Sequence, residues 1–436
     1  MINNRKLDSN EQSMEILNRC AGSFNVLTIS RVKGDLNEEI VSVALNLLQK
    51  RHPRLKCRIT GTLDNLCFAD GNEKIPLRVV EQQHREQYLE VIVEELNKPI
   101  ESNKGLARVV LISSSENTSY LLTILHHAIS DGLSTVQLHS EILTYCNKIA
   151  AGKIENDIQE LPPLPNVQEL MPKSMQGTFG LIKSILSFIK FKFNGANYRP
   201  QTLSFEECVP IESRSTGMVQ RKLNKDATTQ LIDACRTENT TVQGALCAAL
   251  LFATAILIRD GSQGNLLLNC HSSADLRRRL EPEVSRENLG ILALGLTSFH
   301  NVDINTPFWD LARDVKQQLE AGLKSEEIFS TILMSRKIYE SLLSRPNEAP
   351  VTAGVTNIGR VKIPDDYGLF KLEEISFVSS QAVFGGVPGV AVTTFQGKMI
   401  LNFYFSKPSI SLRRIEILAD DVISCLVNVC NKDACA

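Results

Sequence analysis

Residues 120–132 read Tyr-Leu-Leu-Thr-Ile-Leu-His-His-Ala-Ile-Ser-Asp-Gly, and the architecture turns on this stretch. Its first six residues are an apolar, partly β-branched run of strand length. The run delivers two histidines, His126 and His127, followed within a few residues by Asp131 and Gly132. Beyond them Leu133, Val136, Ile142 and Ile149 recur at helical spacing until Gly152. The segment is therefore a strand-to-helix turn that carries an imidazole. Adjacent strand residues point to opposite faces, so only one of the two rings can look into a given cavity and the other is left a structural role. Asp131 is placed to anchor the turn, and Gly132 to supply a backbone angle or a close approach that a Cβ would forbid. Imidazole suits general-base chemistry because it titrates near neutral pH. A His-His pair taken alone is more often packing than chemistry, so the surrounding pattern has to decide.

Outward from that turn, alternation predicts a strand over 23–33 after a polar start. Ile40, Val43, Ala44, Leu47 and Leu48 predict a helix over 36–50 that stops before Pro53. Strands over 56–60 and 106–113 flank a helix over 85–96. The three prolines at Pro162, Pro163 and Pro165 are the strongest punctuation in the first half. The second half predicts a strand over 218–223, helices over 225–237 and 242–258, and a strand over 265–270. A helix opened by Thr306 and Pro307 follows, then a hairpin around Gln396-Gly397 and a last helix over 411–429. Strands and helices alternate in both halves, which predicts an α/β fold with mixed sheets. The expected division is an N-terminal lobe over 1–165, a linker with an amphipathic helix over 166–214, and a C-terminal lobe over 215–436.

A chain of 436 residues is long enough for two or three domains and for an enclosed cleft. Apolar residues at 43 % and charged residues at 22 % are those of an ordinary packed, soluble protein. The 47 basic and 49 acidic side chains nearly cancel, so no surface is built to neutralise nucleic-acid phosphates. The first residues carry no apolar run of a secretory signal, and a cytoplasmic location is expected. Eleven cysteines contain no C-x-x-C pair and read as reduced and buried. Cys425, Cys430 and Cys435, five apart, lie at different points around a helix, and no metal site is expected.

Two apolar stretches invite comparison with a membrane. Residues 242–258 include Gln243, Gly244 and Thr254 and fall short of the ~20 residues a span needs, so a buried core helix is expected. Residues 179–193, opening on Phe179 and closing on Phe193, are interrupted by Lys183, Lys190 and Lys192. They suit a helix packed on its own protein, with weak membrane or lipid contact as the second reading.

The whole segment has the pattern H-H-x-x-x-D-G, and in this it resembles the coenzyme-A-dependent acyltransferase superfamily. That group includes chloramphenicol acetyltransferases, plant BAHD acyltransferases, nonribosomal-peptide condensation domains and polyketide-associated acyltransferases. Other stretches are similar too: Arg51-His52-Pro53-Arg54-Leu55, Thr241-Val242-Gln243-Gly244-Ala245-Leu246, Ala274-Asp275-Leu276-Arg277 and Thr356-Asn357-Ile358-Gly359. The segment at Val383-Phe384-Gly385-Gly386 is only a remnant of the plant-type "D-F-G-W-G" pattern.

The resemblance implies two chloramphenicol-acetyltransferase-like lobes with an active-site tunnel between them. It implies that His127 is the general base and that His126, Asp131 and Gly132 are structural, with Asp131 ion-paired to an arginine of the second lobe, for which Arg277 is the choice. Arg278 and Arg279 read as a solvated turn. Thr356 and Asn357 are candidates for stabilising an oxyanion or contacting substrate, with a simple turn as the equal alternative. His52 is expected to cap its helix, and His84, His139, His271 and His300 to be structural. The implied reaction moves an acyl group from a thioester, of coenzyme A or of an acyl carrier protein, to a hydroxyl of a small molecule. The alternatives are an amide-forming condensation on an amine and a non-catalytic binding or gating module. No permanently bound cofactor is expected.

Overall fold

The computed structural model describes residues 4–430 except 23, 72, 115–116, 154–156, 198 and 262–263, and no side chain is described at 21, 187–188, 190–197 or 327. Cys435 and several side chains of the 179–193 stretch therefore lie outside the described residues. Among the described residues the chain forms two compact units. The first comprises Met1–Pro172, Leu276–Leu292 and Arg360–Ser380, and the second Lys173–Asp275, Ala293–Gly359 and Gln381–Ala436. This corrects the linear division at 165 and 214, because two segments of the second half belong to the first unit. The reason is long-range pairing: Lys371–Ser379 binds antiparallel to Asn25–Lys33 and completes the first unit's sheet. Local patterning carries no trace of such a partner.

The first unit is built on a five-stranded mixed sheet in the order Lys371–Ser379, Asn25–Lys33, Thr118–His126, Ala107–Ser113 and Leu77–Glu81. Leu77–Glu81 runs parallel to its neighbour and the other pairs are antiparallel. The register sets Asn25 opposite His126, at the end of the strand that carries the motif. The helix Gly132–Ala150 is fastened to the face of this sheet by buried polar contacts. Thr28 and Thr135 share a hydrogen bond of 2.7 Å, and the His139 ring sits between the hydroxyls of Ser30 at 2.7 Å and Thr123 at 2.8 Å. Burial pushes the His139 pKa down to about 3, so this ring is neutral, as a structural imidazole should be.

The polar start conceals a helix, Ser9–Ala21. Asp8 caps it, accepting from the N–H groups of Asn10 and Glu11, while the Glu11 carboxylate accepts from the Asp8 N–H. This reciprocal arrangement satisfies donors that would otherwise be orphaned at the helix start. Met14 and Leu17 are buried on its inner face, and so is Glu15.

The second unit has a six-stranded mixed sheet in the order Ala293–Val302, Leu266–Asp275, Ala353–Arg360, Gly389–Phe395, Lys398–Lys407 and Ser215–Leu223. Gly389–Phe395 and Lys398–Lys407 form the expected hairpin, and Gln396 and Gly397 both take positive φ, 51° and 78°. Two consecutive left-handed residues are what a two-residue turn needs to follow the twist of its strands. The helix Val242–Arg259, capped by Thr241, is long and apolar enough to cross a membrane, yet it is a core element of this unit. Leu246, Leu250 and Leu251 are buried in it, each worth roughly 1.5–3 kcal/mol over exposure. The helix Phe308–Lys324 has Pro307 as its N-cap and not in its first turn, a shift of one position from expectation. Among the described residues no cysteine is in a disulfide, but Cys20 and Cys208 are exposed, which corrects the expectation that all are buried.

Candidate active site

The motif strand Thr118–His126 ends on the first histidine, and His127 opens a short 3-10 turn, His127–Ile129. The two rings part because the chain leaves the strand between them, not because they alternate along it. His126 is fully buried. Its Nδ1 accepts the Ala128 N–H at 3.1 Å, and its Nε2 lies 2.9 Å from Glu15 Oε2. That contact is short but poorly aligned, since neither atom has a hydrogen bond of good geometry. Glu15 is held further by Ser102 at 2.7 Å and Arg19 at 2.6 Å. Burial works to raise the Glu15 pKa, but His126, Ser102 and Arg19 outweigh it and hold the carboxyl below its ordinary range. His126 is thus a strut between the motif strand and the N-terminal helix.

His127 is only half-buried. Its Nδ1–H donates to the Ser130 carbonyl at 2.7 Å, which assigns the proton to Nδ1 and leaves the Nε2 lone pair as the acceptor. Burial holds the imidazole below its ordinary pKa, although the Asp131 charge and the Ser130 carbonyl pull the other way. The ring is therefore neutral near pH 7, with its basic nitrogen directed away from the turn's own carbonyl. The Phe24 ring stacks beside it, with centroids 6.4 Å apart and planes at 27°. Phe24 itself sits at φ 62°, a left-handed conformation that a bulky residue adopts only under constraint. Its N–H donates to the Ser380 carbonyl at 2.8 Å, on the segment that returns from the second half of the chain.

Asp131 does two jobs in full burial. As N-cap of Gly132–Ala150 it accepts the Ser134 N–H at 2.9 Å. Across the unit it receives both terminal nitrogens of Arg277, at 2.9 and 3.1 Å, and the Leu292 N–H at 3.1 Å. Burial would raise its pKa, but the charge and hydrogen bonds of Arg277 prevail and keep the carboxyl below its usual range. The expected pair with Arg277 is present, with one correction: Arg277 belongs to the first unit, on the returning segment Leu276–Leu292, and not to a second lobe. Arg277 is 2 % exposed, whereas Arg278 is exposed and Arg279 half-buried. Gly132 is simply the first residue of its helix and has no positive φ, so the expected unusual backbone angle is absent.

Thr356 and Asn357 lie on the strand Ala353–Arg360 of the second unit. The Thr356 hydroxyl is 3.0 Å from that of Ser273 and is also bonded by Tyr404, whose phenol burial pushes up to about 12. The Asn357 side-chain carbonyl accepts the Gly359 N–H at 2.8 Å, and Gly359 takes φ 71°. This bond makes a local turn and engages the Asn357 side-chain oxygen, not its N–H donors.

The other histidines have structural partners. His52 caps the helix Glu38–Arg51, as expected, and contacts Glu141 at 2.8 Å. His300 lies between Asp314 at 2.6 Å and Ser298 at 2.8 Å. The His271 ring fills the space where a side chain on Gly295 would stand. His84 faces Glu90 at 3.6 Å. Among the described residues no group of three His, Cys, Asp or Glu side chains is arranged to hold a metal ion.

Glu15, Phe24 and Ser130 are members of the site that the sequence did not single out. A signal for Glu15 was available: it stands on the apolar face of a capped helix, between Met14 and Leu17, and a carboxylate there needs a buried partner.

A condensation-domain family model matches residues 13–162, and the C-terminal model of the phthiocerol/phthiodiolone dimycocerosyl transferases matches 212–403. Nonribosomal peptide synthetase kk1B of Curvularia clavata is 26 % identical over 156 residues, 35 % of this chain and 1 % of that protein. A linear gramicidin synthase of Brevibacillus parabrevis is 23 % identical over 266 residues, 59 % of this chain and 5 % of that protein. The match thus spans only a few per cent of these relatives' length. Trichothecene 15-O-acetyltransferase of Fusarium sporotrichioides shares the fold with a TM-score of 0.78 at 13 % identity, covering 97 % of this chain and 95 % of its own. Polyketide synthase associated protein 5 of Mycobacterium tuberculosis gives 0.67 at 16 %, with 98 % of both chains covered. The first condensation domain of the calcium-dependent antibiotic synthetase gives 0.74 at 12 %, over 99 % of this chain and 98 % of its own. With a family match in each half and one fold across nearly its whole length, the chain belongs to the condensation-domain superfamily of chloramphenicol-acetyltransferase-like proteins.

Proposed function

We propose that this protein is an acyltransferase in which His127 Nε2 is the general base. The observation that carries the reading is the 2.7 Å bond from His127 Nδ1–H to the Ser130 carbonyl, which presents a neutral imidazole with its basic nitrogen free of the turn. In the proposed step the acceptor hydroxyl loses its proton to Nε2 as its oxygen bonds to the thioester carbonyl carbon. Collapse of the tetrahedral intermediate breaks the carbon–sulfur bond, and the imidazolium returns the proton to the departing thiolate. One imidazole thus serves both halves of the reaction. Asp131 and Arg277 do not touch the proton in this scheme; they hold the turn on which His127 rides. Thr356 and Asn357 are given no step: the Thr356 hydroxyl is bonded to Ser273 and Tyr404, and the Asn357 side-chain oxygen to the Gly359 N–H.

The donor is a thioester of coenzyme A or of an acyl carrier protein, and the product is an ester. The dimycocerosyl transferase match and the fold shared with an O-acetyltransferase favour a hydroxyl acceptor. The condensation-domain match favours the second reading, an amide formed from carrier-bound substrates. Matched alcohol and amine acceptors, assayed with the same acyl-coenzyme A and acyl-carrier-protein donors by mass spectrometry, separate the two. Ester with the alcohol is expected, and product with the amine alone would reverse the preference. His127→Ala should lower kcat about 10²-fold or more with an unchanged circular dichroism spectrum, the usual cost of a lost general base. Normal turnover in that variant would end the assignment.

A further inference from the structure

The described residues include thirteen large hydrophobic side chains that are exposed, and six of them fall in one stretch of a single helix: Phe179, Leu181, Ile182, Ile185, Leu186 and Ile189. The others are scattered singly, as on any protein surface. The helix, Gly177–Asn197, is attached to its own unit by the opposite side. There Gly180 is buried, and the buried Ser184 hydroxyl lies 3.3 Å from that of Ser330 on the helix Glu327–Leu343. At 3.6 residues per turn the six exposed side chains fall within one arc of about 160°, facing away from that seam. A face this concentrated and apolar is an interaction surface.

Its charge selects the occupant. From 177 to 197 the sequence holds three lysines, Lys183, Lys190 and Lys192, and no acidic residue, in a chain whose overall charge is −2. Lys183 lies at the edge of the apolar arc, with its ammonium 5.0 Å from the centre of the Phe179 ring. Its ion pair with Glu326 is long, 3.6 Å, and exposed on both sides, so it binds the ammonium weakly. An aromatic and aliphatic face on a helix whose only charged residues are lysines is the pattern of a helix lying in a lipid headgroup layer, where flexible stems can reach anionic phosphates. A protein partner would need carboxylates placed against these lysines, whereas an anionic bilayer offers phosphates all along its surface. We infer that Gly177–Asn197 is an interfacial anchor that docks this protein on an anionic lipid bilayer, apolar face down.

The inference stands apart from the acyl-transfer reading and is tested without a turnover assay. Full-length protein is sedimented with vesicles of phosphatidylcholine alone and of phosphatidylcholine with an equal part of phosphatidylglycerol. Binding to the anionic vesicles is expected, weakened by added salt, and reduced about tenfold or more in the double variant Ile182→Glu/Leu186→Glu, since two apolar contacts are lost and two like charges gained. Both positions are exposed, so the circular dichroism spectrum and Tm should stay those of the parent. Should the double variant fail to fold, Phe179→Asp, 64 % exposed in the first turn, is expected to lower binding several-fold by itself. Parent protein that stays in the supernatant with anionic vesicles overturns the proposal. So does a folded variant that sediments like the parent. A vesicle-free dimer that the double variant dissolves would assign the face to a second copy instead.

Discussion

Asp131 at the motif turn and Asn357 near the end of the strand Ala353–Arg360 are held in opposite ways. At the turn, Asp131 is a buried charge, and it is met by a bidentate arginine and two backbone N–H groups, the arginine and one of the N–H groups brought from far along the chain. At the strand end, Asn357 is neutral and finds its partner two residues away, in the Gly359 N–H. A buried carboxylate without partners costs several kcal/mol, so the fold must supply long-range ones. An amide has no such requirement and can be satisfied in place. Long-range partners therefore mark where the architecture is committed, and the histidine that shares the turn inherits that rigidity.

The comparison is most exposed at Arg277. Arg277→Met, or Asp131→Ala, leaves its partner charged and buried, and a loss of about 3–5 kcal/mol is expected, read as a fall in denaturation midpoint or in soluble yield. A variant as stable as the parent would show that the pair does not anchor the turn. The pH profile of kcat/KM gives the next effect. Because burial lowers the His127 pKa, the base remains neutral, and the rate flat, as pH falls to below the ordinary imidazole value of about 6.5. Below its own pKa the rate should drop tenfold per pH unit. A midpoint near 7 or above would mean that the ring is more solvated, or more strongly drawn to Asp131, than its position indicates. The smallest effect is reserved for Asn357→Ala. Loss of one turn hydrogen bond should cost about 0.5–1.5 kcal/mol of stability and change kcat less than threefold. A hundredfold fall would restore it as an oxyanion donor and erase the contrast between the regions.

The legible parts of the molecule were those where neighbours in sequence are neighbours in space. The motif strand, the turn and the helix Gly132–Ala150 follow one another directly, and the hairpin around Gln396-Gly397 shows its turn chemistry in two letters. The core helix Val242–Arg259 was readable from its apolar run. The strut from Glu15 to His126 was missed because Ser9–Ala21 is polar on average; its buried face and capping box are outweighed by the charges on its outer side. The split of the chain was missed because a strand's pairing partner leaves no periodic signal in the strand itself.

The amino-acid sequence alone determined the chemistry available: an imidazole on a strand-to-helix turn, a carboxylate beside it, an arginine to match, and one superfamily's pattern around them. Those depend on residue type and local spacing, which are written in the chain. Tertiary structure alone decided how each ring is held, His126 against Glu15 and His127 on the Ser130 carbonyl, and that Arg277 returns to Asp131's own unit. It also left one face of Gly177–Asn197 uncovered. Those outcomes follow from burial, and burial is a property of what the rest of the chain does.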